Sequence, residues 1–105
     1  MSLTRLEGAH YQAPQKVVYQ ATTAVTIPDD CDQLNVTVGS LTHTLPANPK
    51  PGQKVTVCGI GVATTVQANT GQSVSNGAVS SGTSREFVAT QDVSGTFVWV
   101  PAALA

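Results

Sequence analysis

Residues 84–100 read SREFVATQDVSGTFVWV. Glu86–Thr90 and Thr96–Val100 are built from β-branched and aromatic residues, and the polar stretch Asp92–Gly95 between them has turn chemistry. The expectation is two strands joined by a short connection. Phe97-Val98-Trp99-Val100 is apolar at every position. Such a run expects cover on both faces, the core on one side and another layer or subunit on the other. Pro101 has no N–H for a ladder and should end the strand.

The same punctuation continues upstream. Val17–Gln20 and Ala24–Ile27 read as short strands, the second closed by Pro28 and the polar turn Asp29-Asp30-Cys31-Asp32. In LNVTV-GS-LTHTL (residues 34–45) two alternating runs flank Gly39-Ser40, the pattern of a two-residue hairpin with Gly first, as a type II′ turn requires. That register sets Val38 opposite Leu41, Val36 opposite His43 and Leu34 opposite Leu45 on one face, with Asn35, Thr37, Thr42 and Thr44 on the other. PANPKPG (46–52) is too rich in proline to pair and is a loop. Lys54–Cys58 and Ala63–Gln67 are further strands around Gly59 and Gly61. Asn69-Thr70-Gly71 and Asn76-Gly77 are turns, the latter favouring positive φ at both residues. Ser80–Ser84 is a small loop. No segment holds a helical period. Seven to nine short strands at this spacing predict an all-β fold, a β-sandwich of antiparallel strands.

Composition agrees. The 105 residues allow one domain. Thr and Val fill 29 positions, and only 10% of residues are charged, against about a quarter in ordinary domains. The five basic residues, Arg5, Lys16, Lys50, Lys54 and Arg85, are scattered and the net charge is −1, so no nucleic-acid partner is expected. No run of apolar residues is long enough to span a membrane, and no secretory signal is read at the N-terminus. Residues 1–16 read as an extended arm ahead of a β-sandwich domain over 17–105. Leu3, Leu6 and Tyr11 in that arm would be poorly served by water, which suggests docking on a neighbouring subunit.

No residue pattern calls for catalysis, a cofactor or a metal. Cys58-Gly59-Ile60-Gly61 lacks an assignable base for a nucleophilic thiol, and lacks the third glycine of a phosphate loop. Asp29, Asp30 and Asp32 lack the glycine and distal glutamate of a calcium loop, so a solvated turn is expected. Cys31 and Cys58 read as small hydrophobes, with a bridge between them left open. Asn35-Val36-Thr37 is a formal glycosylation sequon inside a strand. His43 falls on the apolar face, either as a core-edge histidine satisfied locally or as a partner contact sensitive to pH. Phe97 and Trp99 are two of five aromatic residues. One is expected in the core, the other facing away from it as a subunit contact.

The Pro-Gly turn and Val-rich strand of PGQKVTV (51–57), the Asn69-Thr70-Gly71 turn and the closing REFVATQDVSGTFVWV (85–100) together resemble small β-modules of tailed-bacteriophage virion proteins. These are capsid decoration (cement) proteins and tail- or head-fibre domains, and the resemblance spans about residues 45–100. It implies a jelly-roll or related sandwich, a homotrimer, and a non-catalytic role on the virion, made in the host cytoplasm. The major capsid protein of the shell would be its partner. A module with an arm and no shaft looks more like a decoration protein than a fibre. A receptor-binding fibre module and a carbohydrate-binding or adhesion domain are the alternatives. The interface candidates are Leu3, Leu6, Tyr11, His43, Phe97 and Trp99.

Overall fold

The computed structural model describes residues 3–6 and 16–101. Its ten strands are β1 (Leu3–Leu6), β2 (Val18–Ala21), β3 (Gln33–Val36), β4 (Thr42–Thr44), β5 (Lys54–Gly59), β6 (Thr64–Gln67), β7 (Ser73–Val74), β8 (Ala78–Val79), β9 (Ser84–Gln91) and β10 (Phe97–Pro101). They form a seven-stranded sheet, ordered β1-β2-β3-β5-β9-β10-β7, and a three-stranded sheet, ordered β4-β6-β8. The expected all-β, two-sheet architecture is therefore what forms. The count exceeds seven to nine because of the arm strand β1 and the two-residue strands β7 and β8.

Strand direction departs from the expectation. β2 with β3, β3 with β5, β4 with β6, and β10 with β7 are parallel pairs, whereas sandwiches of the jelly-roll kind are antiparallel. The polypeptide alternates between the sheets. It runs from β2 to a parallel bridge at Thr26↔Thr44, back to β3, across to β4, back to β5 and across to β6. Gln33 pairs Thr56 in the large sheet and Thr42 pairs Thr65 in the small one. Both ladders shift by 23 residues (56 − 33 and 65 − 42). The stretch from β2 to β6 is thus a flattened coil, one turn laid on the next, and parallel strands need such crossovers.

The predicted hairpin at Gly39-Ser40 is absent. Val36 pairs Ala21 and Gly59, His43 pairs Val66, and the two runs lie in different sheets. A type II′ turn needs positive φ at its first central residue, yet Ser40 has φ 62° and Gly39 is not positive. The segment instead crosses between layers, with Ser40 N–H donating to Ala63 C=O of the next loop. Alternation still assigns most faces correctly: Leu34, Val36, His43 and Leu45 are all buried, while Val38 is exposed.

The terminal pair behaves as expected. β9 and β10 are antiparallel and their Asp92–Gly95 connection is ordered by Asp92, whose Oδ1 accepts from Ser94 N–H, Ser94 Oγ–H and Thr96 N–H. The core between the sheets collects Leu34, Val36, Val55, Val57, Phe87, Ala89 and Trp99 from the large sheet. Val66, Val79 and the flanking Val25, Ile27 and Leu45 close it from the other side.

Candidate functional site

One end of the coil carries the polar chemistry. The prolines of the 46–52 loop supply no N–H, Gly52 N–H donates to Ala89 C=O, and the carbonyls at the start of the loop are met by side chains from later in the sequence. Asn69 Nδ2 donates to Leu45 C=O at 3.1 Å. Gln72 Nε2 donates to Pro46 C=O (3.2 Å) and Ala47 C=O (3.0 Å), while its Oε1 accepts from Trp99 Nε1 at 2.9 Å. The nearby aspartates act the same way. Asp29 accepts from Asn48 N–H and Nδ2, Asp30 from the Tyr19 hydroxyl, and Asp32 from Val17 N–H. An open groove of about 630 Å³ lies along this end, lined by the three aspartates with Asn48, Lys50 and Gln53. Each carboxylate there is committed to holding a loop. Among the described residues, no group of three His, Cys, Asp or Glu is placed to hold a metal ion.

The thiols are set against reactivity. Cys31 is buried and free, and desolvation pushes its pKa up to about 12, with Asp32 and Asp30 adding to the rise. Burial also raises the Cys58 thiol, against the opposing pulls of Lys16 and Ser84. Nucleophilic cysteines need the reverse setting, exposed and electropositive.

His43 is wholly buried (0% exposed). It occupies an inward position beside Val25 and Val66, where neighbouring turns of the coil carry valine. Thr44 N–H donates to Val25 C=O and Ile27 N–H to Thr44 C=O, and the imidazole Nδ1 accepts from Val25 N–H at 3.3 Å. Accepting there places the neutral ring's proton on Nε2, and Nε2 has no partner among the described residues. Desolvation holds the His43 pKa below its ordinary value. The local satisfaction expected for this residue is met at one nitrogen only.

Trp99 is also wholly buried, and Phe97 packs against the same core. The expectation that one of the two faces away fails on the pleat, since residues i and i+2 share a face. Leu3 packs against the core of its own protomer. Leu6 lies in β1, paired with Val18, and Tyr11 lies outside the described residues. Outward from the closing strands face Val88, Val98 and Val100, beside Glu86 and Thr90. Val98 and Val100 alternate with the buried Trp99, Val100 pairs Val88, and Val100 is 40% exposed. Val88 and Val98 are half-buried, so Val100 is the exposed point of this stripe. Alternation within FVWV was the signal that could have found it.

No protein-family model matches the sequence, and neither a curated protein nor a solved structure matches it. What the geometry offers is a valine stripe on a broad sheet, a loop end locked by its own polar groups, and thiols shifted away from their reactive form.

Proposed function

We propose that this protein is a structural component of a phage particle, binding the outer surface of the capsid and stabilising it without catalysis. The observation that carries this reading is the outward stripe of Val88, Val98 and Val100 on the seven-stranded sheet, half-buried at Val88 and Val98 and exposed at Val100. Apolar area left in water costs about 25 cal/mol per Å² relative to burial. A partner surface laid on β9 and β10 recovers that energy, and closed symmetry lets three copies share such contacts. The family resemblance of residues 51–57 and 85–100 supplies the partner class. A protein that binds only the assembled shell stabilises it by mass action.

The test is native mass by light scattering, followed by co-sedimentation with phage shells, for the parent and for Val100→Lys. Val100 is outside the core, so the substitution should leave the fold intact by circular dichroism. The expected outcome is a parent trimer that sediments with shells and a variant that does neither. A monomeric parent that ignores shells overturns the reading. A trimer that ignores shells but binds host cells replaces it with the fibre alternative.

A further inference from the structure

The sequence holds four asparagines, Asn35, Asn48, Asn69 and Asn76, and the fold treats one of them differently. Asn76 is exposed on the connection between β7 and β8 and precedes Gly77. Its Oδ1 accepts from Ala78 N–H at 3.1 Å, which folds the carboxamide back over the Asn76–Gly77 peptide. Gly77 N–H donates to none of the described residues. A Cβ at position 77 would collide with the Val66 carbonyl oxygen. Gly77 is therefore required for close approach; neither residue has the positive φ expected for this turn. With no side chain on Gly77, the nitrogen following Asn76 meets no steric hindrance from its own residue.

The other three are protected. Asn48 is followed by Pro49, which has no N–H to lose. Asn35 sits inside β3, paired on both sides, and accepts from Gln33 Nε2. Asn69 Oδ1 binds Thr70 N–H at 2.8 Å, which occupies the nitrogen that would have to attack, and Thr70 is β-branched.

We propose that Asn76 is a self-modification site at which the native protein deamidates through a cyclic imide. The Gly77 nitrogen, giving its proton to solvent base, attacks Asn76 Cγ. A new bond forms between that nitrogen and Cγ, the bond from Cγ to Nδ2 breaks, and ammonia leaves. Water then opens the five-membered ring at either carbonyl, giving aspartate or isoaspartate at position 76. No oxidant or cofactor enters; asparagine and water become acid and ammonia.

The two products act differently on the fold. Aspartate keeps an acceptor for Ala78 N–H. Isoaspartate adds a methylene to the backbone where Gly77 C=O accepts from Val66 N–H at 2.8 Å and where β8 begins its pairing with β6. The isoaspartyl form should release β8 from the small sheet. This chemistry is independent of the particle reading, and either can fail alone.

The test incubates the native protein in mildly alkaline buffer, with peptide mapping by mass spectrometry and enzymatic methylation of isoaspartate. Asn76 should gain one dalton about tenfold faster than any other asparagine, a barrier lower by about 1.4 kcal/mol. Hydrogen exchange of the isoaspartyl fraction should show lost protection at Val66. Asn76→Gln, whose longer carboxamide arm disfavours imide closure, should abolish both signals. The proposal is overturned if Asn76 keeps its amide in the native protein while changing only in urea, or if the four sites react at one rate.

Discussion

His43 sits where the coil elsewhere places valine, and its two nitrogens face different fates. Nδ1 accepts the Val25 N–H, while the Nε2 proton is buried without a partner among the described residues. Protonation would turn Nδ1 into a donor facing another donor. Desolvation by burial holds the His43 pKa below its ordinary value of 6.5 in the folded state. The sign follows from proton counting: between the folded pKa and the unfolded value of about 6.5, the unfolded state binds more protons, so stability rises with pH. The contribution is complete above pH ~6.5 and is lost as pH falls towards the lower folded pKa. Urea melts from mildly acidic to neutral pH should show this slope. In His43→Val it should vanish. That variant strands the Val25 N–H but removes the orphaned Nε2–H; each effect is about 1–3 kcal/mol, so the two should leave neutral-pH stability within about 1 kcal/mol of the parent. A slope that survives the substitution would assign acid sensitivity to another group.

Among the elements, Gln72 is the joint between the proline loop and the closing strand. It gives an acceptor to Trp99 Nε1 and donors to the Pro46 and Ala47 carbonyls. Gln72→Met keeps the bulk and removes all three bonds, and should cost about 1–3 kcal/mol for the stranded groups. Tryptophan emission should respond as the indole loses its partner; unchanged stability and emission would show that the joint is not needed. This element was only half legible. PANPKPG announced a loop through its prolines, but nothing local says that residues 20 or more positions later must satisfy its carbonyls. The strands tell the same story. Alternation in LNVTV and LTHTL assigned the buried faces of Leu34, Val36, His43 and Leu45, because the pleat is a local property. It could not assign partners, and Gly39-Ser40 imitated a hairpin while serving as a crossover. A usable signal was present in Thr26-Ile27-Pro28 and Thr44-Leu45-Pro46, the same pattern 18 residues apart (44 − 26), whose threonines form the inter-turn bridge. In the closing strand the run FVWV exposed its own outward valines, once Phe97 and Trp99 are placed on one face. The acidic turn was legible as a turn, whereas its carboxylates' roles as loop anchors depend on distant Val17, Tyr19 and Asn48.

Taken over the full fold, the interleaving has a kinetic consequence. From β2 to β6, each new strand is laid in the opposite sheet from its predecessor or beside a strand reached through a crossover, so few pairings in this stretch are local. Each turn of the coil finds its hydrogen-bond partners 15 to 23 residues away, from Val18↔Gln33 to Gln33↔Thr56. Loop closure must be met before any of these ladders gains a bond. By contrast, β9 and β10 form a local hairpin, and β9 then pairs antiparallel with β5 at the end of the coil. That order favours nucleation at the C-terminal hairpin, with the coil added from β5 through β3 to β2. Folding dominated by non-local pairing belongs in the range of about milliseconds to seconds. Stopped-flow refolding should fall there. A destabilising substitution in the β9–β10 core, Phe87→Leu, should slow refolding, whereas Leu34→Ala in β3 should mainly speed unfolding. The reverse pattern would place the nucleus in the coil and make the hairpin a late addition. Sub-millisecond refolding of the parent would mean that the parallel turns assemble without waiting for long-range closure.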